Sequence, residues 1–203
     1  VVHVQRRTKP EKSNLFKSMI SIVMPSFLGA YPNCATNRPD KLRRAIESFL
    51  KQGIGELVVV PDGCEETVKI ASEYPVKCLS PLPKCSTFAG DLRNAGIAAA
   101  SYDYIAYLDS DDIFGDGHLD SIVSNLDADW LWWDDHIDVV RRTVELKLGC
   151  IGTSCIAHKK SLGIVWTDGY GHDWRVVEQL MKYPYKKIEA KYRVMHIPGV
   201  LDS

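Results

Sequence analysis

A chain of 203 residues fits one domain of ordinary size, with enough interior for a substantial core. Its 45% hydrophobic and 25% charged residues are close to globular averages, and a formal net charge of -1 gives no global attraction to nucleic acid or to an anionic membrane. No apolar run approaches the roughly 20 residues needed to cross a bilayer, and "VVHVQRRTKPEKSNLFKSM" lacks the uninterrupted apolar centre of a secretory signal, so a soluble, cytoplasmic protein is expected.

Residues 1–18, with Arg6, Arg7, Lys9, Lys12 and Lys17, read as a polar, basic leader, and residues 19–203 as a single domain. "MISIVMPSF" is a short apolar, β-branched segment expected to be a buried strand stopped at Pro25. In "PDKLRRAIESFLKQG", Leu42, Ala45, Ile46, Phe49 and Leu50 recur at helical spacing, with Asp40 placed to cap the start and Gly53 the end. "ELVVVPDG" returns as a second buried strand. A strand, helix, strand unit of this length predicts that the two strands are parallel. A helix over 65–74, a short strand "VKCL", a helix over 91–100 and the strand "YIAYLD" continue the alternation. The second half is less regular: a helix near 118–126, a strand through "WLWWDDHIDVV", a paired stretch through "VELKLG" and "SCIAHKK", a helix from His172 to Tyr183, and a closing strand "KIEAKYRVMHI".

This is α/β patterning, and ligands of such sheets bind beyond the carboxyl ends of the strands. Pro25, Asp62 and Asp109 all fall at such ends. In "YIAYLDSDDIF", Asp109, Ser110, Asp111 and Asp112 follow a buried strand directly. Carboxylates repel one another, so the cluster points to a hard cation with open positions for phosphate oxygens; the alternative is a solvated turn capping the helix near His118. No phosphate-cradling G-x-x-x-x-G-K-[ST] occurs, and the glycine pairs lack the context of a dinucleotide fingerprint. A phosphatase-type D-x-D-x-[TV] motif is disfavoured, because the acidic stretch lies mid-chain and carries Ile113 where Thr or Val belongs. The six cysteines, Cys34, Cys64, Cys78, Cys85, Cys150 and Cys155, form no C-x-x-C pair and are read as free thiols.

Taken in order, "SIVMPSF", "RRAIESFLKQ", "ELVVVPDGC", "LRNAGIAAASYDYIAYLDSDD" and "GHDW" resemble the family-2 glycosyltransferases, over nearly the whole chain from Ile20 to Ser203. The resemblance implies a GT-A fold: a Rossmann-like α/β domain with a mostly parallel central sheet, flanking helices and a small antiparallel part. It implies metal-dependent (Mn2+ or Mg2+), inverting transfer of a sugar from a nucleotide-diphosphate donor, a UDP-sugar by preference, to an acceptor hydroxyl. By that resemblance Pro25, Ser26 and Phe27 hold the nucleoside, and Asp62 accepts from the uracil N3–H, with Pro61 replacing the first acid of the family pair. Arg93 faces the diphosphate or orients the acidic cluster; its alternative is a surface pair with Asp91. Asp109 and Ser110 lie on the donor, Asp111 binds the metal, and His196 in "YRVMHIPG" approaches the metal or diphosphate. Asp173 in "GYGHDWRVVEQL" is the implied catalytic base, its pKa expected to rise by burial against Trp174, with a helix N-cap as its alternative. His172 stands where the family has an acid. The tryptophans Trp130, Trp132 and Trp133 read as core, with Trp133, Asp134, Asp135 and His136 as possible acceptor-side residues. Neither sugar nor acceptor is encoded legibly, leaving a saccharide, a lipid-linked sugar, a protein hydroxyl or a modified nucleobase. A non-catalytic nucleotide-sugar binding module is the competing function.

Overall fold

The computed structural model describes residues 20–84 and 88–203; the basic leader and Cys85 lie outside the described residues. The chain begins with β1 (Ile20–Ser26), α1 (Arg38–Leu50), β2 (Glu56–Pro61), α2 (Glu65–Ala71), β3 (Lys77–Cys78), α3 (Gly90–Ala99) and β4 (Tyr104–Tyr107). After the acidic turn come β5 (Ile113–Phe114), α4 (His118–Val123), β6 (Trp130–Trp132), β7 (Asp135–Ile137), β8 (Val140–Arg142) and β9 (Ile156–Lys159). The last elements are α5 (His172–Leu180), β10 (Tyr185–Lys187), β11 (Tyr192–Val194), β12 (His196–Ile197) and β13 (Leu201–Asp202).

Among the described residues the strands form a seven-stranded sheet in the order β10-β6-β9-β4-β1-β2-β3, a four-stranded sheet β5-β11-β7-β8, and the hairpin β12-β13. β1 pairs in parallel with β2, as the crossover length predicts, and also with β4, while β9 is antiparallel to both β4 and β6. From β1 the chain runs outward to β2 and β3, then returns to place β4 on the other side of β1. The reversal opens a crevice at the carboxyl ends of β1 and β4.

The central strands are buried on both faces. Ile22, Met24, Leu57 and Val59 pack with Leu42, Ile46 and Phe49 of α1, whereas Val23, Val58 and Val60 pack with Leu92 of α3 and with Val176 and Val177 of α5. Near-continuous Val and Ile runs are what a doubly covered parallel sheet requires.

Several boundaries differ from the sequence reading. β1 does not stop at Pro25 but runs to Ser26, in register with Val60 and Pro61 of β2. β4 pairs β1 only over Ile20–Val23, so the missing N–H of Pro25 falls on a side where the ladder has already ended. α1 starts after Asn37, and Asp40 lies in its first turn without capping it. "WLWWDDHIDVV" is not one strand: β6 belongs to the large sheet, and the chain crosses at Trp133 and Asp134 into the β7-β8 hairpin of the small one. "VELKLG" forms no strand, leaving β9 to pair with β4 and β6, and the closing segment divides into β11 and β12. The five described cysteines, Cys34, Cys64, Cys78, Cys150 and Cys155, are free thiols.

Candidate active site

A cleft of about 630 Å³ opens over the carboxyl ends of β1, β2 and β4. The ten residues assigned from the sequence to the donor, the metal and the base all line it: Pro25 and Ser26 of β1 and Phe27 just after it, Asp62 after β2, Arg93 of α3, Asp109, Ser110 and Asp111 after β4, Asp173 of α5, and His196 of β12.

The β1 and β2 ends are tied together by the Asp62 N–H donating to Ser26 O at 2.9 Å and by a hydroxyl bond between Ser26 and Thr67 at 3.1 Å. Asp62 is buried, and Lys84 Nζ donates to its Oδ2 at 2.6 Å. The same ammonium stands 3.5 Å from the centroid of the Phe27 ring. Pro61, in place of an acid, ends β2 as a buried strand residue whose carbonyl accepts from the Leu82 N–H at 3.1 Å.

The acidic turn separates into two roles. Asp112 is buried and faces inward, accepting from Tyr192 Oη at 2.9 Å and from the Met195 N–H at 2.7 Å, so it fastens β11 under the turn. Burial raises its carboxyl well above the ordinary value, and Asp109 and Asp111 add to that rise. Asp109 and Asp111 line the cleft. Desolvation at the cleft floor raises the Asp109 pKa as well, with Arg93 opposing and Asp111 and Asp173 reinforcing. None of these carboxylates caps α4, whose N-cap is Gly117 without any side-chain cap. Their crowding therefore has no helix-capping explanation.

Arg93 is buried, and its partner is Asp109 (Nη2 to Oδ1, 3.5 Å) rather than Asp91. Its Nη1 donates to Phe88 O at 2.6 Å, and the guanidinium lies 4.9 Å from the Trp166 ring. Beneath it Trp166 Nε1 donates to Tyr107 Oη at 2.9 Å, Tyr107 Oη meets His158 Nε2 at 2.7 Å, and His158 Nδ1 meets Lys159 O at 3.0 Å. The Lys159 carbonyl can only accept, which fixes the histidine proton on Nδ1 and makes Tyr107 the donor to Nε2.

Asp173 lies in the first turn of α5, after an N-cap Gly171 at φ 76°, and makes no capping bond. Its carboxylate accepts from Thr153 Oγ1 and faces His172 Nε2 at 3.1 Å. His172 Nδ1 faces Gly169 O at 3.3 Å, so the ring stands between two acceptors. The expected rise in the Asp173 pKa is corrected: burial does push upward, but His172 and Thr153 outweigh it and hold the carboxyl below the ordinary value. On the opposite wall His196 Nε2 donates to Asn33 O at 3.1 Å, and its buried Nδ1 has no hydrogen-bond partner. Asp202, 3.6 Å from that nitrogen, accepts from Lys41 Nζ, Thr36 N and Thr36 Oγ1, which fastens the β12-β13 hairpin to α1 and to the loop before it.

The sequence reading missed Lys84, Arg142 and Thr153, which also line the cleft. Arg142 is held by Asp135, directly opposite it in the β7-β8 register, and that cross-strand charge pair was the available signal. Lys84 sits in an irregular segment and Thr153 in a single 3-10 turn, Thr153–Cys155, neither long enough to show periodicity. The acceptor-side reading of Trp133, Asp134, Asp135 and His136 is not borne out: none lines the cleft, Trp133 is fully buried, and Asp134 is paired with Arg141 and Lys187.

A mostly parallel α/β sheet with acid-rich strand ends and a carboxylate facing them across one cleft is an architecture of the GT-A type. The model of the glycosyl transferase family 2 matches residues 34–144, more than half of the chain, and the chain belongs to that family. The poly(ribitol-phosphate) beta-N-acetylglucosaminyltransferase TarP of Staphylococcus aureus (strain N315) is 29% identical over 111 residues, covering 51% of this chain and 31% of TarP. The crystal structure of S. aureus TarS 1-349 superposes with a TM-score of 0.68 at 18% identity, covering 87% of this chain and 60% of that one. Its complex with UDP-GlcNAc gives 0.65 at 17% identity, over 87% and 58% of the two chains. The chain thus spans about a third of the curated relative and about three fifths of the solved TarS chains. Among the described residues no helix is long and apolar enough to cross a membrane.

Proposed function

We propose that residues 19–203 form a metal-dependent, inverting glycosyltransferase domain that moves a sugar from a UDP-sugar to an acceptor hydroxyl. The observation carrying this reading is the convergence on one cleft of Asp62 and Phe27, the Asp109–Asp111 turn and Asp173. The solved complexes of TarS with UDP-GlcNAc and with UDP support the choice of donor. Free thiols and reliance on a nucleotide-sugar pool favour a cytoplasmic setting.

In this reading the nucleoside lies between Phe27 and Asp62, Pro25 and Ser26 supply backbone contacts, and Arg93 steadies Asp109 beside the diphosphate. Among the described residues no three His, Cys, Asp or Glu side chains are arranged as a metal cage. The donor set still suits a hard cation: Asp111 adjoins two carboxyls that burial and mutual repulsion have raised, and His196 offers a buried nitrogen that makes no hydrogen bond. Asp111 and His196 would hold Mn2+ or Mg2+, which when bound offsets the charge of the departing diphosphate. Asp173, ionised at neutral pH and aimed by Thr153 and His172, takes the proton from the acceptor hydroxyl as that oxygen attacks the anomeric carbon. The acceptor enters past Arg142 and Thr153, on the side of the cleft away from Asp62.

The test is thermal stabilisation by UDP with and without Mn2+. UDP alone should stabilise weakly, because diphosphate and carboxylates repel, and UDP with Mn2+ should stabilise strongly. Asp111→Ala should remove the metal-dependent part and leave the metal-free melting curve in place. Equal shifts with and without the ion would sink the metal-binding role.

A further inference from the structure

The base side of the cleft already holds a side chain. Lys84 Nζ donates to Asp62 Oδ2 at 2.6 Å and stands 3.5 Å from the Phe27 ring centroid. A nucleobase uses the same two features: an edge N–H donating to a buried carboxylate, and a flat face on an aromatic ring. A stacked ring would occupy the gap of roughly 3.5 Å that the ammonium now fills, so the two cannot be present together. The partners differ sharply in exposure. The Asp62 side chain is 5% exposed and that of Lys84 is 50% exposed, so the lysine can leave into water at little desolvation cost while the carboxylate cannot.

We propose that Lys84 is an internal occupant of the base subsite, and that donor binding exchanges its ammonium for the N–H edge of the base. The proposal rests on the reading of Phe27 and Asp62 as the nucleoside subsite. It gives Lys84 two consequences. In the free chain its ammonium donates to a buried carboxylate, and it lowers apparent affinity for any base by the fraction of time it is seated. After transfer it competes with the spent nucleotide for Asp62, which favours product release. The lysine stem has four rotatable carbons, and movement of that side chain alone suffices for the exchange.

The magnitude follows from competition: a site occupied about nine-tenths of the time binds an external ligand about tenfold more weakly than the open site. Uridine is the probe, because it carries no phosphate that a lysine could contact. It is titrated at about pH 8, without divalent ions, into the wild-type chain and the Lys84→Met and Lys84→Ala variants, and binding is read from amide chemical shifts. Dispersed spectra report directly that each variant is folded, and Lys84→Met keeps the apolar stem beside Phe27. The expected result is uridine binding about tenfold tighter in both variants. Unchanged or weaker uridine binding in the variants, with UDP still bound by the wild-type chain, overturns the Lys84 proposal and leaves the nucleoside subsite standing. Failure of the wild-type chain and both variants to respond to either uridine or UDP overturns the donor reading and the proposal together.

Discussion

Replacing Gly96 by Ala tests how α3 delivers Arg93 to the acidic turn. A Cβ at this position would stand closer to Val23 Cγ1 than carbon atoms in real proteins approach, with further contacts at 3.1 Å to Val60 Cγ2 and 3.2 Å to Val23 Cγ2. Both valines are fully buried and β-branched, so neither can swing away. Restoring an ordinary carbon contact requires α3 to lift from β1 and β2 by roughly 1 Å. Overpacking of this kind costs about 1–3 kcal/mol, against about 1 kcal/mol gained by replacing glycine inside a helix. With neighbours this stiff the net loss should be about 1–2 kcal/mol, a fall in melting temperature of about 2–8 °C for a domain of this size. Arg93 lies one turn earlier on the same helix, so the lift also lengthens its 3.5 Å approach to Asp109, and UDP affinity should fall with stability. Urea unfolding and UDP titration measure the two effects. Combining Gly96→Ala with Val23→Ala gives the new methyl a place to go, and the pair should be more stable than the sum of the single changes by about 1–2 kcal/mol. If Gly96→Ala alone stabilised the chain by the helix-propensity gain, the close packing of α3 on β1 would be wrong.

Asp173→Asn is nearly isosteric and can still accept from Thr153, so UDP and Mn2+ binding should survive while transfer falls at least about a hundredfold; full activity would assign the proton to another group. The same in-line geometry predicts a β-linked product from an α-linked UDP-sugar, read from the anomeric coupling constant, and an α-linked product would refute inversion. For Asp112 the sign of the pH dependence is fixed by its raised pKa: the folded state keeps a proton that the unfolded chain has shed, so its contribution to stability is full below the ordinary carboxylate value and is lost as pH rises through the folded value. Asp112→Asn, which cannot ionise, should therefore compare worst with the wild-type chain near about pH 4, and the gap should narrow or reverse by about pH 8. Urea midpoints that diverge over that range would contradict the burial assigned to this carboxyl.

The alternation of buried strands and helices through Tyr107 was legible because local periodicity and turn chemistry agree there with the tertiary arrangement. Pro25, Asp62 and Asp109 could be assigned to one crevice from that alternation alone, since strand ends of a parallel sheet share an edge. Beyond Trp130 the strands are two to four residues long and pass between two sheets, too short for an alternating pattern to separate one long strand from two short ones. That is why the crossing at Trp133 was hidden. The surroundings of Asp173 were hidden for another reason. Thr153 is 20 residues away in sequence and reaches the carboxylate from a single 3-10 turn, so the hydrogen bond that helps lower its pKa left no local signature. Lys84 was equally unreadable, because its meaning lies in two partners, Phe27 and Asp62, that follow different strands.

The chain of bonds from Trp166 through Tyr107 and His158 to Lys159 O has a consequence for the charge at the cleft floor. Burial holds His158 down to about 4, while the Tyr107 hydroxyl is driven far above its ordinary value by the same burial. Neither group exchanges a proton anywhere near neutrality, and the indole never does. Arg93 therefore rests on a foundation of constant charge, and the field it exerts on Asp109 has the same strength in a mildly acidic as in a mildly alkaline solution. Any drift in donor affinity across that interval has to originate above this layer, in the ligand's own phosphate oxygens or in the carboxyls of Asp109 and Asp112, which burial raises.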